Sequence, residues 1–279
     1  MQISFQGELG SYSHQACSEV FPDAVPLPCS TFETAMDQVK EGNSEYAIIP
    51  VENSTYGRVA DAYYLLPNSG LFIIKEHFLR VHINLLALPG VSLSEIKTAM
   101  SHSVLLGQCR RFLNKHKIKS LSGIDTAGSA KIVSESNDRS KSALASPLAG
   151  EIYGLDSLGV EIEDMKNNTT RFLIMSNKKK NVHFEKNKKF MTTIVFQVKN
   201  IPAALYKAMG GFATNNVNMV KLESYMVSGT FTSTQFYADI EGHPDEEKVK
   251  RALDELVFFT SFFKILGVYE CHNFRKFNS

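Results

Sequence analysis

One short stretch of the chain holds polar side chains that are able to bind an anion. The stretch runs from Asn167 to Phe172 in the order Asn-Asn-Thr-Thr-Arg-Phe, and the apolar run 173–175 follows it. An apolar run of this kind predicts a buried strand, and open α/β sheets bind their ligands at strand ends. A guanidinium can hold a carboxylate through two parallel hydrogen bonds, and the hydroxyl and amide groups can orient it. The stretch therefore predicts an active site, although a turn followed by a solvated arginine would give the same residues.

Further polar loops follow strand-like segments elsewhere in the chain. They lie at residues 6–14, 52–58, 101–103 and 125–130, and at Ser146, where the strand-like run 143–145 leads into a helix closed by Gly154. Each alone is an ordinary junction between a strand and a helix. They fall into two groups, separated by an alternating strand over residues 79–87 that ends at the turn Pro89-Gly90. This order predicts two α/β lobes that share one cleft, with chain crossings near 75–88 and 160–175.

The first and second loops carry candidate ligand contacts. Ser11 and Ser13 can cap a helix whose free backbone N–H groups bind anions, although a capped loop without a ligand fits equally well. Loop 52–58 adds small polar residues at the end of a buried strand. His14 and His102 stand at helix starts, where either could act as an acid or base but would more often pack or donate a hydrogen bond.

Composition excludes several classes of function. The chain of 279 residues has a net charge of +1, so it has no overall positive potential that would attract nucleic acid or membranes. No apolar run approaches the ~20 residues of a membrane span, and nothing resembles a signal peptide, so the cytoplasm is the expected compartment. The four cysteines are widely separated and no histidine belongs to an HExxH motif, so no metal site is expected.

The composition changes after residue 176. Residues 178–189 hold six lysines and one glutamate without apolar periodicity, which predicts a solvated linker. Beyond it, strands are expected at 191–198, 217–226, 231–240 and 262–269, with a turn at Ser228-Gly229 and two helices. The first helix is expected to be capped by Asn200, with Pro202 in its first turn. The order βαββαβ is that of the ferredoxin-like split unit.

Several of these stretches together resemble prephenate dehydratases that carry a C-terminal ACT regulatory domain. The resemblance covers essentially the whole chain. The matching stretches are GSYSH at 10–14, PVENST at 50–55, SH at 101–102 with QC at 108–109, DTAGSA at 125–130 and NTTRF at 168–172. Any one of these motifs would be a weak signal, but finding all of them in the family's order along one chain is a specific signal.

The resemblance implies both a fold and an activity. The fold would be a two-lobed, periplasmic-binding-protein-like α/β catalytic domain over residues 1–176, a basic linker over 177–189 and a ferredoxin-like ACT domain over 190–279. The activity would be conversion of prephenate to phenylpyruvate, water and carbon dioxide in phenylalanine biosynthesis. The family uses no metal or organic cofactor and forms homodimers or homotetramers.

The resemblance also implies roles for individual residues. Thr170 would donate a hydrogen bond to the departing hydroxyl, and Arg171 would hold a substrate carboxylate. Glu52 is the rival acid if burial raises its pKa, and the sequence leaves this choice open. The expected substrate contacts are Ser11, Ser13, Asn53, Ser54, Thr55, Thr126, Ala127, Gly128, Asn168 and Phe172.

Two alternatives to this activity stay open. Arogenate dehydratase performs the same reaction on the corresponding amino acid, and no residue in the sequence distinguishes an amine from a keto group. A non-catalytic module that binds small anions would keep the cleft without the chemistry, although Thr170 beside Arg171 counts against it.

The ACT-like region departs from the family pattern. Members that bind phenylalanine show Gly-Ala-Leu at the first helix and Glu-Ser-Arg-Pro after the second strand, whereas this chain has Ala-Ala-Leu at 203–205 and Glu-Ser-Tyr-Met at 223–226. L-Phenylalanine is still expected to bind at an interface between ACT domains and to inhibit, the alternative being a domain kept only for assembly. The expected regulatory residues are Asn200, Ala203, Leu205, Asn218, Glu223 and Ser224.

Overall fold

The computed structural model describes residues 1–227 and 234–277, with the side chains of 276 and 277 excluded. The expected turn at Ser228-Gly229 and the start of the strand expected at 231–240 lie outside the described residues. The chain forms two compact units. The first unit comprises Met1–Val59 and His77–Phe172, and the second comprises Ala60–Glu76 and Leu173–Ser279. None of the helices in the described part is both long enough and apolar enough to span a membrane.

The regular elements alternate between strands and helices. Up to residue 101 they are β1 (Gln2–Gln6), α1 (Tyr12–Val20), β2 (Val25–Cys29), α2 (Phe32–Lys40), β3 (Tyr46–Asn53), β4 (Gly57–Arg58), α3 (Ala60–Leu65), β5 (Phe72–Arg80), β6 (Asn84–Ala87) and β7 (Thr98–Ser101). From there to residue 176 they are α4 (Ser103–Gln108), α5 (Arg110–Lys115), β8 (Lys119–Ser122), α6 (Thr126–Glu135), β9 (Lys141–Ala145), α7 (Pro147–Tyr153), β10 (Asp156–Gly159) and β11 (Thr169–Ser176). The remainder are β12 (Phe190–Val198), α8 (Ala204–Thr214), β13 (Met219–Met226), β14 (Thr234–Glu241), α9 (Glu247–Phe258), β15 (Thr260–Glu270) and α10 (Asn273–Phe277).

Two sheets form the first unit, which confirms the two-lobed α/β architecture. One sheet has the order β11-β3-β1-β2, in which β1 is parallel to both β2 and β3. The other has the order β10-β6-β9-β7-β8, in which β7 is parallel to β8 and β9 while β6 is antiparallel to β9 and β10. Helix starts that follow parallel strands carry the polar loops to the ends of both sheets.

Each lobe of the first unit has its own apolar core. In the first lobe, the helical stripe of α2 buries Ala35, Met36 and Val39, as its spacing predicts. In the second lobe, strands β6 and β9 bury Leu85 and Leu144 completely. Burying such a side chain contributes about 1.5–3 kcal/mol of stability. Each core therefore stabilises the sheet of its own lobe.

The crossing between the lobes differs from the sequence-based expectation. A single strand was expected over 79–87, but β5 ends at Arg80 and β6 begins at Asn84. The break occurs because the Ile83 N–H donates to Glu163 Oε2 at 3.0 Å instead of to a neighbouring strand. The Ile83 carbonyl accepts a hydrogen bond from the Ile162 N–H at 2.9 Å, so the two crossing segments are joined at this point.

The second unit contains the predicted βαββαβ order, from β12 to β15. Its strands have the spatial order β13-β14-β12-β15, and β12 is antiparallel to both of its neighbours. Helices α8 and α9 bury Phe212 and Leu256 against Ile194 and Phe196 of β12. This arrangement is the ferredoxin-like split unit.

Helix α8 begins later than the sequence predicts. Asn200 was expected to cap it, but the helix begins at Ala204 and its N-cap is Ala203, whose side chain makes no capping hydrogen bond. Ala203 has a left-handed backbone with φ of 59°. Because a left-handed residue interrupts the right-handed helical path, Asn200 cannot belong to the helix that follows it.

The basic stretch after residue 176 is less solvated than expected. Its lysines 178–180 are exposed, but the ring of Phe184 lies 5.9 Å from the ring of His243 and 6.2 Å from that of Phe190. The Val182 carbonyl is 2.9 Å from His243 Nε2. An aromatic side chain within a run of lysines therefore fixes part of this stretch against the rest of the second unit.

All four cysteines are free thiols. Cys17, Cys29 and Cys109 are buried, and Cys271 is partly buried. Burial raises the pKa of each of the three buried thiols and raises that of Cys271 to about 11, so the thiolate is disfavoured at neutral pH. Their surroundings are those of structural cysteines.

Candidate active site

A cleft of about 510 Å³ lies in the first unit. It is lined from β3 and β11, from the loop that starts α1, and from the starts of α4 and α6. Many of the residues expected to contact substrate line it. They are Ser11, Ser13, Asn53, Thr126, Asn168, Thr170 and Phe172.

The remaining expected residues lie behind this lining. Ser54 joins two strands, since its hydroxyl donates to the Asn167 carbonyl at 2.8 Å and accepts from the Thr169 N–H at 2.9 Å. The Thr55 N–H donates to Asn53 Oδ1 at 2.9 Å. Glu52 of β3 lies opposite Arg58 of β4 in the antiparallel pair of strands, and it does not line the cleft.

Arg171 is the main departure from the expected site. Successive side chains of a strand point to opposite faces, and Thr170 and Phe172 both line the cleft. Arg171, between them, does not line it and is only 3% exposed. The structure therefore places Thr170 and Arg171, which the sequence motif joins, on opposite faces of β11.

Asn53 organises the polar side of the cleft. Its Oδ1 accepts hydrogen bonds from the backbone N–H groups of Thr55 at 2.9 Å and Tyr56 at 3.0 Å. Its Nδ2 donates to Asn168 Oδ1 at 2.6 Å and to Thr170 Oγ1 at 3.0 Å. Asn168 Nδ2 in turn donates to Gln108 Oε1 at 3.0 Å.

These contacts fix the direction of every hydrogen bond in the network. A backbone N–H can only donate, so the Asn53 atom that faces Thr55 and Tyr56 must be the carbonyl oxygen. The Asn53 atom that faces Thr170 is then the NH₂ group, which can only donate. Thr170 Oγ1 therefore acts as an acceptor toward Asn53, and its own proton is available to a ligand in the cleft.

Helix starts contribute backbone groups to the same cleft. Ser11 is the N-cap of α1 and accepts from the His14 N–H at 3.3 Å. Asp125 is the N-cap of α6, and its carboxylate accepts from the Gly128 N–H at 2.5 Å. The Gly128 N–H is thus used by the cap, and Ala127 is fully buried, so neither lines the cleft.

The two histidines near the cleft are held by backbone donors. The Gly10 N–H donates to His14 Nδ1 at 3.0 Å, and the Val104 N–H donates to His102 Nδ1 at 3.3 Å. A neutral imidazole that accepts at Nδ1 carries its proton on Nε2. Both histidines can therefore offer a donor at Nε2. Burial lowers the pKa of His14, which favours this neutral form.

Several residues that line the cleft have no role predicted from the sequence. Tyr56 and Arg58 end the second polar loop, and Asp125 and Gln108 line the cleft from the second lobe. The Tyr56 hydroxyl donates to the Val104 carbonyl at 3.1 Å. Arg58 is exposed at the cleft, and as the cation of loop 52–58 it could have been proposed from the sequence.

The residues expected to bind a regulator are spread over the second unit. Asn218 Nδ2 donates to Glu241 Oε2 at 3.2 Å, and Glu223 Oε1 lies 2.8 Å from Lys221 Nζ. Asn200, Ala203 and Ser224 are exposed, while Leu205 is half-buried beside the core.

The family model for prephenate dehydratase matches residues 3–180 of this chain. The chain belongs to the prephenate dehydratase family. Membership of this family places it in the biosynthesis of aromatic amino acids. The matched region ends shortly after β11, so it includes every residue of the cleft.

Individual relatives cover nearly the whole chain. A bifunctional N-acyl-homoserine lactone acylase/prephenate dehydratase of Komagataeibacter europaeus is 44% identical over 274 residues, which are 98% of this chain and 97% of the relative. The chloroplastic arogenate dehydratase/prephenate dehydratase 1 of Arabidopsis thaliana is 36% identical over 96% of this chain and 72% of its own length. The prephenate dehydratase of Arthrobacter aurescens, solved in complex with L-Phe, has a TM-score of 0.88 and 28% identity, and the alignment covers 98% of this chain and 91% of that one.

Proposed function

We propose that the chain is a dehydratase that converts prephenate to phenylpyruvate, water and carbon dioxide. The observation that carries this proposal is the hydrogen bond from Asn53 Nδ2 to Thr170 Oγ1 at 3.0 Å. It leaves the Thr170 proton as a donor in the cleft, and a donor is what the departing hydroxyl requires.

The reaction breaks two bonds of one ring. The bond to the ring carboxylate breaks to release carbon dioxide, and its electron pair moves into the ring as the bond to the hydroxyl breaks. The hydroxyl leaves as hydroxide with the electron pair of its own bond and takes a proton from solvent to form water. The product ring is aromatic, so the barrier lies mainly in the charge that develops on the leaving oxygen. A threonine is too weak an acid to transfer its proton beforehand, but a hydrogen bond from Thr170 to that oxygen stabilises the charge as it forms.

The carboxylates of the substrate need cationic and N–H partners. Arg58 is exposed where it lines the cleft, and the starts of α1 and α6 bring backbone dipoles to it. We assign carboxylate binding to Arg58 with these helix starts, since Arg171 does not line the cleft. Glu52 likewise lies outside the lining, which supports Thr170 over Glu52 as the group at the leaving oxygen.

Purified chain with prephenate tests the activity directly. We expect stoichiometric phenylpyruvate and carbon dioxide, and a chain that binds prephenate without releasing carbon dioxide would be a binding module. Arogenate run in parallel gives the substrate preference, which matters because relatives include arogenate dehydratases. The proposal gives prephenate the higher kcat/KM, and a higher value for arogenate would move the assignment to arogenate dehydratase.

The relative that is 44% identical suggests a second candidate, since its name includes an N-acyl-homoserine lactone acylase. Amide cleavage commonly uses a nucleophile activated by a neighbouring base. The nearby imidazoles accept backbone N–H groups at Nδ1 and so present Nε2 as a donor. We therefore place the dehydratase first. Release of homoserine lactone from an N-acyl substrate, measured in the same preparations, tests the second activity.

We further propose that the second unit contains an ACT domain over residues 190–279 and that L-phenylalanine inhibits the enzyme through it. The βαββαβ order supports this, as does the L-Phe complex of the Arthrobacter aurescens enzyme. The proposed pocket is formed at an interface between ACT domains of a homodimer or homotetramer. Its residues are Asn200, Ala203, Leu205, Asn218, Glu223 and Ser224.

An effector works only through different affinities for two states of the enzyme, typically by about 1–3 kcal/mol of coupling. Calorimetry of the full chain with L-phenylalanine, together with inhibition of turnover, tests the proposal. D-Phenylalanine is the control. If millimolar L-phenylalanine gives neither heat nor inhibition, the domain serves assembly alone.

A further inference from the structure

A histidine and two glutamates meet at the crossing between the lobes of the first unit. His82 lies in the segment between β5 and β6, and Glu161 and Glu163 lie between β10 and β11. His82 Nδ1 is 3.3 Å from Glu161 Oε1 and 3.8 Å from Glu163 Oε1. One ligand atom from each of the three residues lies within 4.8 Å of the other two.

A buried imidazole nitrogen and a buried carboxylate lie beside each other in this cluster. His82 Nδ1 is inaccessible to solvent and has no hydrogen-bond partner of acceptable geometry. The Glu163 side chain is only 2% exposed, and while its Oε2 accepts from the Ile83 N–H, its Oε1 faces His82. A buried carboxylate and an unpaired imidazole nitrogen are costly unless a further partner binds both.

The spacing of these atoms fits a metal ion. Ligands at about 2.1 Å from a tetrahedral Zn²⁺ are separated from one another by about 3.4 Å. The distances from His82 Nδ1 to the two glutamate oxygens are 3.3 and 3.8 Å. Imidazole together with carboxylates is a ligand set that first-row divalent cations accept.

Neighbouring groups hold the three ligands in place. The Ile83 N–H orients the Glu163 carboxylate at 3.0 Å, and Asn84 Oδ1 accepts from the Glu161 N–H at 3.2 Å. The Tyr12 hydroxyl donates to the His82 carbonyl at 2.9 Å. The contact to the Glu163 carboxylate is of the kind that orients a metal ligand, and the other two contacts fix the backbone that carries His82 and Glu161.

We propose that His82, Glu161 and Glu163 bind one divalent transition-metal cation of the Zn²⁺ class. The ion would join the two chain segments that cross between the lobes. Its role would be structural, because none of the three residues lines the cleft. The proposal is independent of the activity assigned above.

Calorimetric titration of the tag-free, chelator-treated full chain with ZnCl₂ tests the site. The parent should bind one equivalent, and its thermal midpoint should rise with added zinc because the ion binds the folded chain.

Glu161→Gln removes one charged ligand on an exposed side chain and should weaken binding at least tenfold. Glu163→Gln keeps an acceptor for the Ile83 N–H and should have a similar effect. Glu151→Gln, an exposed glutamate of the same unit, is the matched control and should bind as the parent does.

Titration with Co²⁺ identifies the ligand atoms independently of affinity. The site predicts visible d–d absorption without a thiolate charge-transfer band, because its ligands are nitrogen and oxygen. A thiolate band that persists in Glu161→Gln would assign the metal to a cysteine and overturn the proposal. So would a parent chain that takes up no zinc, or folded Glu161→Gln and Glu163→Gln variants that bind it as tightly as the parent.

Discussion

Asn53 Nδ2 lies 3.0 Å from Thr170 Oγ1, although 117 positions separate the two residues in the chain. Because Asn53 Oδ1 is occupied by two backbone N–H groups, Asn53 must donate to Thr170 and not accept from it. The orientation of one amide thereby directs the Thr170 proton toward the cleft. The proposed chemistry depends on this orientation as much as on the hydroxyl itself.

Asn53→Asp changes the direction of this hydrogen bond with almost no change of shape. The introduced carboxylate can only accept, so the Thr170 hydroxyl would donate to it and not to the substrate. We expect kcat to fall about 100-fold, within the range measured for loss of one donor to a developing oxyanion. Adding Thr170→Val to Asn53→Asp should cost little more, because both changes remove the same proton. Fully additive losses in steady-state kinetics would show that the two residues act separately.

Arg58→Gln tests the cation assigned to the cleft. We expect KM for prephenate to rise about tenfold, equivalent to about 1.4 kcal/mol, with a smaller change in kcat. Arg111→Gln, which removes an exposed arginine that does not line the cleft, is the control. Equal KM values for parent and Arg58→Gln would return attention to Arg171.

Ala203→Gly should stabilise the second unit. Ala203 has a φ of 59°, a conformation that costs an L-residue about 1–2 kcal/mol and glycine nothing. Glycine loses about 0.5–1 kcal/mol more conformational entropy on folding, which leaves a net gain of about 0.5–1 kcal/mol. Ala213→Gly, the same change in the last turn of helix α8, should destabilise instead, by up to about 1 kcal/mol. Urea unfolding of both variants measures the contrast, and a loss of stability in Ala203→Gly would contradict it.

His14 should make stability depend on pH. Burial lowers the pKa of His14 from its ordinary value of 6.5, so the unfolded chain binds a proton that the folded chain excludes. This contribution is fully present above about pH 6.5 and is lost as the pH falls toward the folded-state pKa. His14→Gln should flatten the fall in urea midpoint below about pH 6.5, whereas the exposed His183→Gln should leave it unchanged. An equally steep fall in His14→Gln would assign the dependence to other groups.

Local patterns predicted the elements well and side-chain directions less well. The polar loops after strands and the βαββαβ order depend on residues close together in sequence, which is why both were found. Thr170 and Arg171 are neighbours in one motif, yet a strand turns neighbours to opposite faces. The alternation of a strand therefore predicts from the sequence alone that Thr170 and Phe172 share one face and that Arg171 lies on the other.

Contacts between residues far apart in the chain could not be predicted from the sequence. Asn53 meets Thr170, and Glu163 meets the Ile83 N–H 80 positions away, through the packing of separate strands and crossing segments. The second contact also divides the expected strand 79–87, since it removes a donor from the ladder. His82 and Glu163 have no local spacing signature, and this is why no metal site was expected.

Turnover of Thr170→Val beside Thr170→Ser, at saturating prephenate, measures what the Thr170 hydroxyl contributes to the reaction. Valine matches threonine in shape and removes only the hydroxyl, whereas serine keeps it. We expect kcat to fall about 100- to 1000-fold in Thr170→Val and to stay within about tenfold of the parent in Thr170→Ser. A Thr170→Val enzyme that folds normally and turns over at nearly the parent rate would contradict it.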